Sequence, residues 1–197
     1  MLLYAGMLFI AAGIACIAFD RQSSHYLYGH VSARFWRFLD STTHLAKASH
    51  WLITAVLAYL AALYEHWETV RLCALAFAAS VALGSVVLHT IKLALGRRRP
   101  RDDSEMSLYG FIPFAFDINY NSFPSGHALT IMCVAVIASA VWPMLWPLWF
   151  AIALWLGLTR ALLTAHYLSD VLVGLGLGLI SAREAAIHIL PHAPAWF

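Results

Sequence analysis

Residues 121–142 read NSFPSGHALTIMCVAVIASAVW, a short polar segment that runs directly into an apolar one. The apolar part has the composition of a membrane helix, and Ser125, Gly126 and His127 stand at its start. Ionisable side chains are costly within a membrane helix, and where they occur they usually serve a function. This stretch therefore predicts both a helix that enters a bilayer and a polar site at its mouth.

The composition of the whole chain supports a membrane location. Of the 197 residues, 62% are hydrophobic and 11% are charged, and the mean hydropathy is +0.75, whereas a soluble domain carries about 25% charged residues. We therefore expect an integral membrane protein with a single domain, residues 1–197. The formal net charge of +2 is too small to indicate nucleic-acid binding. Cys16, Cys73 and Cys133 are scattered in apolar runs, a pattern typical of neither a disulfide framework nor a metal site.

Six segments approach the roughly 20 apolar residues that span a bilayer as a helix. The first lacks the basic leader of a secretory signal, so it is interpreted as a membrane helix and not as a cleaved signal. Gly174, Gly176 and Gly178 in the last segment predict close packing against other helices. The expected fold is all-α, a transmembrane bundle of six helices. The segments are residues 2–19, 50–64, 72–95, 127–145, 148–165 and 169–190.

The connections between these segments carry further signals. Pro143 and Pro147 predict a tight turn between the fourth and fifth segments, and the Trp residues around them place this turn at a bilayer surface. Residues 20–49 mix aromatic side chains with arginines, which predicts a short amphipathic helix lying on the membrane. Residues 96–124 form a connection of a length that is uncommon unless it is functional or disordered.

Ionisable and small polar residues gather in three groups, at residues 92–100, 124–127 and 159–170. The first group closes the third segment, and the second opens the fourth. The third group joins the end of the fifth segment to the start of the sixth. In an up-and-down bundle these four helix ends share one membrane face, so we expect the three groups to converge there.

The cations in these groups predict a phosphate site. Lys92, Arg99 and Arg160 would repel one another near a low-dielectric environment unless an anion completes the cluster. Arginine forks match phosphate oxygens in pairs, and lysine adds a point charge. Ser125 and Gly126 stand at an expected helix N-terminus, where free backbone N–H groups and the helix dipole favour an anion. The predicted occupant is a phosphoryl group.

Two histidines and an aspartate complete the expected chemistry. His166 and Asp170 are four residues apart, so on a helical turn Asp170 would accept from one ring nitrogen and leave the other free as a nucleophile. His127 would then protonate the leaving oxygen as a general acid. No carboxylate cluster in the sequence indicates a metal site, so we predict catalysis without a metal or another cofactor.

At these residues the chain resembles the type 2 phosphatidic acid phosphatase (PAP2) superfamily. Its signature is K-x6-RP, then PSGH, then SR-x5-H-x3-D. Residues 92–100 and 124–127 match the first two motifs in full. In the third, Thr159 replaces the serine, while the arginine, histidine and aspartate stay in register.

The resemblance implies a phosphohistidine intermediate on His166, oriented by Asp170, with His127 as the acid. It implies that the phosphate is held by Lys92, Arg99, Ser125, Gly126 and Arg160. It also implies a lipid phosphatase of the bacterial inner membrane, whose substrate would be phosphatidylglycerophosphate, a polyprenyl diphosphate, phosphatidic acid or a lipid A phosphate. Two alternatives stay open from the residues: a lipid-to-lipid phosphotransferase with the same phosphohistidine, and a non-enzymatic anion transporter or lipid-binding protein.

Two lines of reasoning disagree on the side of the membrane that holds the site. Of the twelve Lys and Arg residues, only Arg71 and Arg183 lie away from the expected catalytic face. The positive-inside rule would therefore place the site in the cytoplasm, whereas the resemblance implies the periplasmic face. Because phosphate binding accounts for several of these cations, the prediction follows the resemblance.

A few nearby residues have less specific interpretations. His89 lies one helical turn before Lys92, and a structural role is favoured over a place in the site. For Arg97 and Arg98 a solvated basic run is favoured over contact with a lipid headgroup or a second phosphate. The aromatic residues of the long connection are hypothesised to form a lid or to dip into the lipid. They are Tyr109, Phe111, Phe114, Phe116 and Tyr120.

Overall fold

The computed structural model describes residues 1–102, 109–115, 117–194 and 196–197. In these residues the chain is helical, and its only β-type pairings are isolated bridges from Arg97 to Phe111 and Asn121, so the all-α prediction is confirmed. The helices are α1 Leu2–Cys16, α2 Asp20–His30, α3 Ala33–Thr43, α4 Ala48–Tyr64, α5 Glu68–Leu95, α6 Gly126–Val141, α7 Trp146–Leu162 and α8 Leu168–Ile189.

The six expected segments fall on α1 and on α4 to α8, and the chain is a multi-pass membrane protein. By length and composition, four helical stretches of the described residues could cross a membrane: Ala33–Tyr64, Glu68–Leu95, Pro143–Leu162 and Leu168–Ile189. A fifth is added if α1 and the start of α2, bent by 80°, form one span. The fourth expected segment corresponds to α6, which has 16 residues and is therefore about 24 Å long, less than the ~30 Å hydrocarbon core.

Helices α6 and α8 form the centre of the bundle. Helix α8 packs against α1, α5 and α6, and α6 also packs against α7. Most residues of α6 are buried, as expected for a helix that is apolar on all sides. The prediction for the glycines of α8 is confirmed, because a Cβ at Gly174 would lie 2.4 Å from the Ser125 carbonyl and one at Gly176 would lie 2.6 Å from that of Gly6.

The outer helices expose apolar side chains. Ile53, Val56, Leu57 and Leu60 of α4 are each more than half exposed, as suits a surface that faces lipid. Helix α3 corresponds to the expected short amphipathic helix: Leu39 is buried, while the aromatic side chains Phe35, Trp36 and Phe38 are exposed. Helix α2, which precedes it, was not expected from the sequence.

The two ends of the bundle differ in character. At one end the expected tight turn is a single 3-10 turn, Pro143–Leu145. It lies beside the tilted ring pair of Trp142 and Trp149, whose centres are 5.9 Å apart. At the other end, α5 and α7 finish where α6 and α8 begin. The polar residues of the three motifs lie at this second end.

Candidate active site

A cavity of about 520 Å³ opens at the end of the bundle where the motifs meet. Five of the expected site residues line it, so the convergence inferred from topology is confirmed. The lining consists of Leu88, His89, Lys92, Leu93, Gly96, Arg99, Ala115, Asp117, Tyr120, Asn121, Gly126, His127 and His166. Across the described parts of the chain, His, Cys, Asp and Glu side chains form no group of three or more suited to a metal ion.

The ring of His166 is held by its Nδ1 atom. This atom lies 2.9 Å from the carbonyl oxygen of Ser122, 3.3 Å from the Ser122 hydroxyl and 3.5 Å from Oδ2 of Asp170. Because a carbonyl oxygen only accepts hydrogen bonds, Nδ1 carries the proton and Nε2 keeps its lone pair. His166 is 4% exposed, and this burial is the main reason why its pKa falls to about 4. The ring is therefore neutral near pH 7 and can act as a nucleophile.

Asp170 is fully buried in the first turn of α8 and is surrounded by donors. Its Oδ2 accepts from the Ser122 hydroxyl at 2.5 Å and from the Tyr167 backbone N–H at 2.9 Å. Its Oδ1 accepts from Arg97 at 2.6 Å. His166 precedes α8 instead of lying within it, so Ser122 supplies the nearest contacts between the aspartate and the ring. Ser122 was missed from the sequence, although it stands two residues before the PSGH motif.

Two cations of the cavity share one residue as their anchor. Lys92 donates to the main-chain carbonyl of Asn121, and Arg99 donates to the side-chain carbonyl of Asn121 at 3.3 Å. Asn121 also forms an isolated bridge with the backbone of Arg97. The loop before α6 therefore positions both cations of the first motif. Sequence reasoning missed Asn121, a common polar residue that stands three residues before the PSGH motif.

Arg160, in the last turn of α7, is anchored on α3. Its Nη1 donates to the hydroxyl of Thr43 at 3.2 Å, and that hydroxyl also lies 3.1 Å from the hydroxyl of Thr159. The charge of Arg160 acts on the rings of both His127 and His166. Thr159, the departure from the family's serine, keeps a hydroxyl at this position, and it also donates to the Leu156 carbonyl at 2.7 Å.

Ser125 and Gly126 occupy different positions at the start of α6. Ser125 is the N-cap residue, is fully buried, and accepts from the Ala128 N–H at 3.5 Å. Its own N–H donates to the carbonyl of Asp170 at 2.9 Å, which ties the start of α6 to the start of α8. Gly126 lines the cavity, and a Cβ there would meet only Leu88, at 3.9 Å. Phosphate binding by Ser125 and Gly126 stays a prediction.

Several residues near the site differ from their sequence interpretation. Arg97 is fully buried, so the solvated interpretation was wrong for it; Arg98 is partly buried with its guanidinium over the Tyr120 ring at 5.1 Å. His89, for which a structural role was favoured, lines the cavity.

Of the aromatic residues expected to form a lid, Tyr109 and Phe111 instead lie against Arg97. Phe114 is 63% exposed, and Phe116 lies outside the described residues.

Sequence comparisons place the site in a known context. The model of the PAP2 superfamily matches residues 73–191, which contain all three motifs. The chain is also similar to the lipid A 1-phosphatases of Rhizobium etli and Rhizobium johnstonii, with 33% identity over 132 residues in each case. The aligned part is 67% of this chain and 55% and 52% of these relatives, so the chain spans about half the length of the curated relatives it matches.

Two solved structures share the fold. A transmembrane PAP2-type phosphatidylglycerolphosphate phosphatase from Bacillus subtilis superposes with a TM-score of 0.67 at 25% identity, over 95% of this chain and 93% of that one. Aquifex aeolicus LpxE superposes with a TM-score of 0.65 at 17% identity, over 86% of this chain and 95% of that one. At 17% identity, the likeness to Aquifex aeolicus LpxE concerns the fold alone. Both superpositions cover nearly the whole helical bundle described above.

Proposed function

Because the chain belongs to the PAP2 superfamily, we propose that it is a membrane phosphatase that removes phosphate from a lipid without a metal ion, through a phosphohistidine on His166. The observation that carries this proposal is the cavity itself. It brings the buried ring of His166 together with the ring of His127 and with the cations Lys92 and Arg99. The substrate is then a phosphomonoester or diphosphate whose lipid part stays in the bilayer.

In the first step, Nε2 of His166 attacks the phosphorus atom of the bound lipid phosphate. The bond between phosphorus and the lipid's bridging oxygen breaks, and His127, in its imidazolium form beside the bound phosphate, donates a proton to that oxygen as it leaves and becomes neutral. The phosphorylated ring keeps its proton on Nδ1 and becomes positively charged. The Ser122 carbonyl, 2.9 Å from Nδ1, and the carboxylate of Asp170, 3.5 Å away, stabilise this charge.

In the second step, His127 takes a proton from a water molecule, whose oxygen attacks phosphorus. The P–N bond breaks, inorganic phosphate leaves, and His166 returns to its neutral form. In both steps negative charge spreads over the three equatorial oxygens of the phosphoryl group. Lys92, Arg99 and Arg160 are the cations proposed to stabilise that charge, and the Asn121 and Thr43 contacts hold them in advance of binding.

The first substrate to test is a lipid A phosphate. The support is the similarity to two lipid A 1-phosphatases at 33% identity. Phosphatidylglycerophosphate is the second candidate, supported by the fold and by 25% identity to a phosphatidylglycerolphosphate phosphatase. Polyprenyl diphosphates and phosphatidic acid complete the panel.

Phosphate release by the purified protein from this lipid panel, in the presence of a chelator, tests the proposal. We expect release from at least one lipid, and we expect His166→Ala to lower kcat by about 1,000-fold or more. His188→Ala is the matched control, because His188 is 77% exposed in the last turn of α8 and away from the cavity. If phosphate appears on a lipid acceptor instead of in solution, the protein is a phosphotransferase and not a hydrolase. Full activity of His166→Ala would rule out both reactions through a phosphohistidine.

We also propose that the protein lies in the inner membrane with its site on the periplasmic side. Two single-cysteine variants of a cysteine-free protein test this: Phe114→Cys, beside the site, and Met144→Cys, in the turn at the opposite end. These side chains are 63% and 91% exposed. An impermeant maleimide is expected to label Phe114→Cys in spheroplasts and Met144→Cys only after permeabilisation. The reverse order would place the site in the cytoplasm.

A further inference from the structure

Arg97 forms two ion pairs in the interior of the bundle. It has no exposed surface, and its guanidinium lies between two carboxylates. Nη1 donates to Oδ1 of Asp170 at 2.6 Å and to the hydroxyl of Ser169 at 2.7 Å. Nη2 donates to Oδ2 of Asp20 at 2.9 Å. Two buried carboxylates from the start of α2 and the start of α8 are therefore joined through one cation.

Aromatic rings enclose this cation on its remaining sides. The guanidinium carbon lies 4.0 Å from the ring centre of Tyr167, 4.8 Å from that of Phe111 and 5.4 Å from that of Tyr109. The hydroxyl of Tyr109 lies 3.3 Å from Nη2 and donates to the Ile17 carbonyl at 2.6 Å. A planar fork is required here, because a lysine ammonium presents one point charge and cannot reach both carboxylates in this geometry.

We propose that Arg97 is a positioning residue for the phosphoryl transfer, acting on His166 through Asp170; this inference rests on the proposed function. Arg97 holds Oδ1 of Asp170, while Ser122 and the Tyr167 N–H hold Oδ2. The carboxylate is thus fixed on both oxygens. A continuous series of contacts runs from Asp20 to the nucleophilic ring.

Arg97 also moderates the pull of Asp170 on the proton of the ring. The charged groups that act on His166 are the carboxylate of Asp170 and the cations Arg160 and Lys92. With Arg97 in place, Asp170 belongs to an ion pair and attracts a proton to the imidazole less strongly. Without Arg97, the carboxylate would stabilise the protonated ring more strongly, so the midpoint of His166 should rise while the ring stays neutral near pH 7.

The structural contribution of Arg97 must be separated from its effect on catalysis. Removal of the cation leaves two buried carboxylates without their partner, and this alone destabilises the fold. The double variant Arg97→Gln with Asp20→Asn removes one of these charges and offers two amides that can bond to each other. Part of the lost stability is expected to return in the double variant, whereas catalysis is not, because Asp170 still lacks its cation.

The test compares Arg97→Gln, Arg97→Lys, the double variant and Arg98→Gln. Arg98 is the matched control, because it is the next residue and stacks on Tyr120 without contact to Asp170. We expect Arg97→Gln and Arg97→Lys to lower kcat by about 100-fold with KM within about 3-fold of the wild type. The double variant should recover part of the loss in thermal midpoint but not kcat, and Arg98→Gln should keep kcat.

An NMR titration of His166 in labelled protein gives a readout that does not depend on turnover. The midpoint is expected to move up by about one pH unit or more in the double variant relative to wild type. An unchanged midpoint, or a kcat that recovers together with stability in the double variant, would overturn the positioning role. Wild-type protein that releases no phosphate from any lipid of the panel would instead overturn the proposed function, and the titration would still test whether Arg97 acts on His166.

Discussion

The hydroxyl of Ser122 lies 2.5 Å from Oδ2 of Asp170, while the carbonyl of the same serine lies 2.9 Å from Nδ1 of His166. One residue thus binds both members of the pair that the third motif supplies. The carbonyl selects the tautomer of the ring, and the hydroxyl fixes the carboxylate beside it. Ser122 in turn is held by its N–H, which donates to the carbonyl of Arg97 at 2.8 Å.

Ser122→Ala separates these two contacts, because it removes the hydroxyl and keeps the carbonyl. We expect kcat to fall by about 10-fold, the usual size of one lost hydrogen bond to a charged group, with little change in KM. Ser139→Ala is the control, since the hydroxyl of Ser139 is also buried but donates within α6 to Ala135 at 2.7 Å. Steady-state kinetics of the two variants check this, and equal kcat values in both would contradict it.

The titration of His166 in the wild-type protein is a second prediction. Burial lowers its pKa to about 4, and the charges of Arg160 and Lys92 act in the same direction, against Asp170. A lowered pKa means that the neutral form of the ring persists to lower pH. Between about pH 7 and pH 5 the ring should therefore remain mostly neutral, whereas a free histidine, with a pKa near 6.5, becomes protonated in this range. NMR of labelled protein in detergent, with the signal assigned by His166→Gln, measures this. A midpoint near that of free histidine would show that the ring is not desolvated.

Gly126, the first residue of α6, and Gly174, on α8 where it packs against the start of α6, should respond in opposite ways to substitution by alanine. At Gly126 a Cβ would make only an ordinary contact, 3.9 Å from Leu88, but it would stand at the cavity wall. We expect Gly126→Ala to keep the thermal midpoint and to raise the inhibition constant of inorganic phosphate by about 10-fold, equivalent to about 1.4 kcal/mol. A phosphate affinity equal to wild type would remove Gly126 from the phosphate site.

Gly174→Ala is the counterpart, because its Cβ would lie 2.4 Å from the backbone oxygen of Ser125. Helices α6 and α8 must then separate, and the expected cost is about 1–3 kcal/mol of stability. Thermal unfolding in detergent should show a lower midpoint for this variant than for Gly126→Ala.

The site was predictable where its residues follow one another in fixed spacing. Lys92, Arg99, His127 and His166 could be placed together because helix ends alternate between the two faces of a bundle. Their anchors could not be found in this way, because each anchor is a common polar residue with no charge or spacing to mark it. Asn121, for example, contacts Lys92 across 29 residues of sequence.

Arg97 shows why a charged run is ambiguous in a membrane protein. Three consecutive arginines at the end of a helix are typical of a solvated surface, and nothing nearby in the sequence indicates a partner. Its carboxylates lie 77 and 73 residues away, at Asp20 and Asp170. The position of Asp20 depends in turn on the 80° bend between α1 and α2, whereas the sequence analysis expected one apolar segment ending at residue 19.

Thr43 is the anchor of Arg160, and its removal should weaken substrate binding. Thr43→Val keeps the shape of the side chain and removes the hydroxyl that accepts from Nη1 at 3.2 Å. Arg160 would then lose its fixed position, from which its charge acts on the rings of His127 and His166, so we expect KM to rise by about 10-fold with a smaller change in kcat. Thr43→Ser keeps the hydroxyl and should behave as wild type.

A double-variant cycle distinguishes this effect from a general loss of packing. If Thr43 acts only through Arg160, then Thr43→Val should add nothing to the defect of Arg160→Gln, because the contact is already absent. Thr159, whose hydroxyl lies 3.1 Å from that of Thr43, still donates to the Leu156 carbonyl and should keep the local fold. Additive losses in the cycle would mean that Thr43 acts on the site through the packing of α3 on α7 instead of through Arg160.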